Sequence, residues 1–175
     1  MIGRSFKSRY LSRIEKLPST DHLFTHKVVY MKHHTKDKGD LGLGFVVSDL
    51  LRQGVQPALL LSEHLPFDCI AVSIEGNLCK LSVKYRAAKN GMIFVDLRSS
   101  WADSKGTHTK EPDLTLIDAV AVFCPDTSLV YYVRADEIHK NSFTLRINIP
   151  KNNQMSGVRL ADNYRDVKRI FAPIA

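Results

Sequence analysis

Cysteine is scarce in this chain and poorly placed for its usual structural roles. The three residues, Cys69, Cys79 and Cys124, include no C-x-x-C pair and stand in no cluster with histidine at zinc-finger spacing. That argues against a structural zinc site and for buried, reduced thiols. The seven histidines are scattered, and the His33-His34 pair has no companion ligands at a useful period. No apolar run approaches the roughly 20 residues that cross a bilayer, and the N-terminus lacks an apolar signal-peptide core. Repeats, low-complexity tracts and coiled-coil motifs are also missing. These absences place the protein in a reducing cytoplasm with no membrane partner.

What is present is an ordinary core and an excess of positive charge. The 175 residues are 44% hydrophobic, enough to build one domain. A formal charge of +7 and a pI near 9.4 favour a polyanionic partner, because Lys and Arg release counterions when they neutralise phosphates. The first 35 residues have a different texture. Arg4, Lys7, Arg9, Arg13 and Lys16 punctuate a stretch with little core-forming periodicity, and Pro18-Ser19-Thr20-Asp21 is turn or cap chemistry. The reading is a basic, solvated extension over 1–35, with a DNA-touching arm as the alternative, and a folded domain over 36–175.

That domain begins with a helix. Leu41, Phe45, Val46, Val47, Leu50 and Leu51 cover most of a helical surface and imply burial against a sheet. Asp40, directly before the apolar run, is a favoured N-cap, and Gly54 is a stop. Strands are predicted over 55–61, 91–97, 117–124, 129–134 and 142–149, with a polar loop over 101–113. Pro125-Asp126-Thr127-Ser128 reads as the turn of a hairpin.

The stretch 65–86 carries the most information. Residues 69–74 are strand formers, Glu75-Gly76-Asn77 is turn chemistry, and Cys79, Leu81, Val83 and Tyr85 then alternate with Lys80, Ser82, Lys84 and Arg86. Alternation puts Ser82, Lys84 and Arg86 on one face, and antiparallel strands about 5 Å apart let Asp68 approach Lys84.

An acid on one strand (Pro66-Phe67-Asp68) and a lysine on the next (Ser82-Val83-Lys84) resemble the core of the PD-(D/E)XK nuclease superfamily. Several other stretches look like its branch of cyanobacterial group I intron homing endonucleases: Lys38-Gly39-Asp40-Leu41-Gly42 before the helix, 119–127 before Val130-Tyr131-Tyr132-Val133, Thr144-Leu145-Arg146, and Pro150-Lys151-Asn152-Asn153-Gln154. The resemblance covers roughly residues 36–166. It implies an α/β fold, a restriction-endonuclease-like mixed β-sheet flanked by helices, and divalent-metal-dependent hydrolysis of DNA. Magnesium or manganese would be held by carboxylates and a strand carbonyl. By position, Asp68 is the metal ligand, Lys84 the charge stabiliser and Ser82 the third member of the site.

The chain departs from the family pattern twice. Where the helix normally continues Gly-Asp-x-Gly-Glu, it has Leu43, and two places before the lysine it has Ser82 where Glu, Asp or Gln is usual. A hydroxyl is a poorer ligand for a hard cation than a carboxylate. Asp40, one turn before Leu43, is a candidate substitute donor. Glu63 reads as a solvated loop acid, and Glu75, at the far turn, is out of reach. For DNA contacts the candidates are Arg86, Lys89, Lys151, Asn152, Asn153, Gln154 and Arg159, since Arg and Lys suit phosphates and Asn or Gln adenine edges; turn formation is the alternative for Asn152 and Asn153. Cutting both strands takes two sites, so the resemblance also implies a homo-oligomer. A degenerate relative that binds DNA without cutting it, and an RNA- or protein-binding use of the scaffold, are the other two readings.

Overall fold

The computed structural model describes residues 34–62, 64–149 and 155–172. The basic stretch before residue 34, Glu63 and the 151–154 cluster lie outside them. Helix α1 spans His34–Arg52, so it starts before the point the apolar pattern suggests. Asp40 therefore lies inside the helix and is not its N-cap. The first turns are polar (His34-Thr35-Lys36-Asp37-Lys38), and Asp37 in the first turn suits the helix dipole. Hydrophobic periodicity starts only where the helix meets the sheet, and so does not reveal these turns. Gly42, Val46 and Leu50 are buried at a spacing of four, one above the other on the sheet-facing side. Gly54, at φ +78°, ends the helix as expected, with Val55 N–H donating to the Leu50 carbonyl at 2.9 Å.

Among the described residues nine strands follow in chain order. They are β1 (Gln56–Leu59), β2 (Cys69–Val72), β3 (Leu78–Tyr85), β4 (Met92–Asp96), β5 (Ser99–Asp103), β6 (Gly106–Lys110), β7 (Ala119–Cys124), β8 (Leu129–Arg134) and β9 (Ser142–Arg146). Five of them form the main sheet in the order β1-β2-β3-β7-β8. The pair β3 and β7 is parallel and the other pairs are antiparallel, which makes the sheet mixed. All six residues of β7 are buried, which accounts for its unbroken apolar sequence: a central strand covered on both faces has no polar side.

Each face has its own core. Cys79, Leu81, Ala119, Ala121 and Phe123 pack with Val46 and Leu50 of α1. On the other face Val120, Val122, Tyr131 and Val133 meet Ile93 and Val95 of β4 and Phe143 and Leu145 of β9. Strands β4 and β9 pair with each other in a separate two-stranded sheet, so this face is covered by a β-ribbon and by Ala161 and Tyr164 of a short 3-10 turn. All three cysteines are buried and free, and burial pushes Cys69 to about 11 and Cys79 to about 12. Both are inert thiols at neutral pH.

The stretch expected as a loop over 101–113 is instead mostly the hairpin β5–β6, with Trp101 opposite His108 and Asp103 opposite Gly106. Its strands are rich in Ser and Thr and bury no apolar face, so alternation of hydrophobicity gives no signal.

The glycines of α1 separate two effects. A Cβ at Gly42 would meet the Tyr85 Cβ at 3.4 Å, whereas one at Gly44 would meet nothing within 4 Å. Gly44→Ala should raise unfolding free energy by about 0.5–1 kcal/mol through helix propensity. Gly42→Leu should lower it by about 1–3 kcal/mol by forcing the helix off β3. Urea unfolding of the two variants checks this, and a stable Gly42→Leu protein would mean that the close approach is dispensable.

Candidate active site

The site forms where β2 begins and β3 ends. Asp68 immediately precedes β2, and its N–H donates to the Leu81 carbonyl at 2.8 Å. Its Oδ2 accepts a hydrogen bond from the Val83 N–H. Cys69 pairs with Leu81, so one step further the register sets Asp68 beside Ser82. The carboxylate is thus fixed against β3 from both its backbone and its side chain.

Ser82 is buried, at 7% exposure, and shares a strand face with Lys84 by alternation. The Lys84 ammonium is half-buried, and burial lowers its pKa. The negative charge of Asp68 opposes that shift and the positive charge of Arg86 adds to it. Asp68 and Lys84 therefore feel each other, as the hairpin pattern implies. Among the described residues, though, they do not close into an ion pair of the kind seen between Lys80 and Asp118 at 3.7 Å.

In front of Asp68 lies a cleft of about 430 Å³. Lys36, Asp40 and Leu43 line one wall from α1, while Phe67, Asp68 and Val83 line the other. Of β3 only Val83 lines the cleft; Ser82 and Lys84, on either side of it, belong to the opposite strand face. Of the two departures from the family pattern, Leu43 therefore lies in the cleft and Ser82 does not. Leu43 presents an aliphatic side chain to the cleft, and Asp40, one turn earlier, lines the same wall. Lys36 also lines it. A lysine four residues before Asp40 is a recognisable helical pair, but the late helix start implied by the apolar pattern hides it.

The donor set suits one kind of cation. Among the described residues no group of three His, Cys, Asp or Glu side chains is arranged to hold a metal, which argues against zinc or an all-protein calcium cage. Magnesium commonly takes one or two carboxylates and completes its shell with water and substrate phosphate. Asp40 and Asp68, facing one cleft from two elements, fit that chemistry.

The residues expected to contact DNA divide. The Arg86 guanidinium donates to the Tyr85 carbonyl at 3.0 Å and the Asp96 carbonyl at 3.1 Å, which ties the end of β3 to β4. The Arg159 guanidinium donates to the Glu137 carbonyl. Lys89 is exposed next to the turn before β4. Residues 151–154 lie outside the described part. Glu75 sits in the hairpin turn at the opposite end of β3, as expected.

Comparison with known proteins bears on the fold and the family. A solved structure of a bacterial homing endonuclease, I-Ssp6803I, matches with a TM-score of 0.62 at 20% identity, over 79% of this chain and 93% of that one. At that identity the likeness is one of fold. Among curated protein sequences none matches. A family model described as PD-(D/E)XK endonuclease matches residues 33–167, most of the chain, with Asp40, Leu43, Asp68, Ser82 and Lys84 all inside the match. The chain belongs to the PD-(D/E)XK endonuclease family.

Proposed function

We propose that the protein is a DNA endonuclease that hydrolyses phosphodiester bonds at the cleft between α1 and the β2–β3 edge, with magnesium or manganese held by Asp68 and Asp40. The observation that carries this reading is the sharing of one cleft by a helical and a strand carboxylate, Asp40 and Asp68; Lys84 lies outside the cleft lining and joins the site through the charge of Asp68, which acts on it. When bound, the cation supplies positive charge at the phosphate and acidifies the attacking water. The Val83 N–H donates to Asp68 Oδ2 and so holds the carboxylate in place, with acceptor capacity left on both oxygens. Lys84, charged and partly withdrawn from water, stabilises negative charge developing on the phosphate oxygens more strongly than an exposed lysine would. Two such sites are needed to cut both strands, which favours a homo-oligomer as the working form.

Nicking of supercoiled DNA in magnesium tests the assignment. Lys84→Ala should lower the rate by about 10²–10³-fold; equal cleavage by the variant would remove Lys84 from the mechanism.

Leu43 and Ser82 support a second reading, a relative that binds DNA but has lost cleavage. The first offers no donor to the cleft and the second is a buried hydroxyl. On this reading the native chain binds DNA with salt-sensitive affinity and leaves it uncut, and Leu43→Glu combined with Ser82→Gln switches cleavage on. Cleavage by the native chain that requires Lys84 would refute it.

The electrostatics of Lys84 set the expected pH dependence. Burial and Arg86 lower its pKa, while Asp68 raises it. The net lowering means that the cationic form disappears on the way up in pH before an ordinary lysine would lose its proton. Cleavage should therefore fall on an alkaline limb displaced below the ordinary lysine range. Arg86→Gln removes a cationic neighbour, raises the Lys84 pKa and should move that limb to higher pH. A limb that does not move in a pH–rate profile of this variant assigns the titration to another group.

A further inference from the structure

The hairpin β5–β6 is placed and composed unlike the rest of the chain. It joins neither the main sheet nor the β4–β9 ribbon, and none of its residues belongs to either hydrophobic core. Every residue of both strands is exposed except His108, which is half-exposed. A solitary two-stranded ribbon is marginal in water, and this one is held by local devices. The Trp101 and His108 rings stack with centroids 5.3 Å apart, His108 Nε2 lies 3.0 Å from Asp103 Oδ1, and the Lys105 N–H donates to the same oxygen at 2.7 Å.

The pairing sorts its side chains. Trp101, His108 and Lys110 share one face; Ser100, Thr107 and Thr109 share the other. Lys105 sits at the turn. The charges leave a positive excess, because the single acid, Asp103, is already paired with His108 and the Lys105 backbone. Apart from Trp101, Ala102 and the paired Asp103 and His108, the side chains of the ribbon are hydroxyls and ammoniums. A protein–protein interface needs a desolvated apolar core that this surface does not have, whereas hydroxyls, lysines and one flat aromatic are the groups that meet phosphates and base edges.

Its root is linked to the proposed catalytic lysine through two intervening residues, Asp96 and Arg86. Arg98, at the base of β5, holds the Asp96 carboxylate with Nη2 to Oδ2 at 2.7 Å. The Asp96 carbonyl accepts from Arg86 at 3.1 Å, and Arg86 in turn acts on Lys84. Five residues of strand extend about 17 Å, half a turn of duplex at about 34 Å per turn, and the major groove admits a two-stranded ribbon.

The geometry points to the β5–β6 hairpin as a DNA-reading arm: it enters a groove of duplex DNA next to the phosphate being cut, with Lys105 and Lys110 on the backbone and the Trp101 face against the groove. This rests on the reading of the protein as one that binds DNA.

Trp101 is the sole tryptophan of the chain, so its emission reports on the arm alone. The full chain is titrated in EDTA with a fluorescein-labelled duplex of mixed sequence, following label anisotropy for binding and acrylamide quenching of Trp101 for the arm. Binding should shield Trp101 from acrylamide. Lys105→Ala with Lys110→Ala should reduce the slope of log K against log salt by about two, one for each phosphate that is no longer neutralised. Binding with unchanged Trp101 quenching and unchanged slope would overturn the arm and leave DNA recognition standing. Shielding that depends on protein concentration without DNA would also overturn the arm, by assigning the ribbon to a second copy of the chain. No binding at low salt would remove the arm together with the DNA reading beneath it.

Discussion

The close approach of α1 to β3 at Gly42 is the constraint that organises the rest of the molecule. A Cβ there would just touch the Tyr85 Cβ at 3.4 Å, so the helix lies close enough to β3 that little more than a methyl fits between them. Just beyond that contact Phe45 stacks on Phe123 at 4.0 Å with nearly parallel rings. One turn further Val46 and Leu50 fill the space above Cys79, Leu81 and Ala121. The helix is then anchored at its far end, where Asp49 Oδ2 accepts from Tyr132 Oη at 2.8 Å and Gln53 accepts from the Val167 N–H at 2.9 Å. A helix fixed at both places has no freedom to slide. Asp40 and Leu43 must therefore stand on the wall of the cleft opposite Asp68, because they flank Gly42, two residues before it and one after.

Strand β3 divides its labour by face. Cys79 and Leu81 pack under the helix and hold the fold, while Ser82 and Lys84 belong to the other series. Neighbouring charges act on Lys84 in opposite directions, and burial, the larger influence, takes it below an ordinary lysine. The lysine is not locked to Asp68 by a direct ion pair, while Asp68 is held to β3 by the Val83 N–H. Arg86 reinforces this arrangement from one side and is fixed there by two backbone carbonyls, so its contribution is a constant of the fold and not a property of a mobile surface chain.

How much of this is legible in the sequence depends on whether a segment buries anything. The hairpin of β2 and β3, the buried run of β7 and the span of β8 follow from patterns that burial imposes on sequence, and Gly54 announces the end of α1 by the backbone angle it must adopt. Segments that bury little give no such sign. The polar first turns of α1 are helical although no apolar stripe marks them, and two features stay hidden with them: Asp40 is inside the helix, and Lys36 shares its wall of the cleft. The β5–β6 ribbon reads as a loop for the same reason. The proximity of Asp68 and Lys84 is legible because their spacing reflects strand pairing, whereas the bonds of Arg86 to the Asp96 carbonyl and of Arg159 to the Glu137 carbonyl leave no local trace.

The two departures from the family pattern fall where the fold does not need the missing groups. A carboxylate at position 43 would face the cleft, whereas position 82 is buried on the opposite face of β3, where a longer polar side chain would need room and a partner. Leucine at the first place joins the edge of the α1 core, and serine at the second is small enough to be buried without a charge to desolvate. Both replacements therefore move in the direction of stability. A site assembled this way keeps its scaffold whichever acids it retains, and a carboxylate from one turn earlier on the same helix can serve the cleft without any change in how the helix packs. What holds the helix down, Val46 and Leu50, is thus separate from what it presents to the cleft, Asp40 and Leu43.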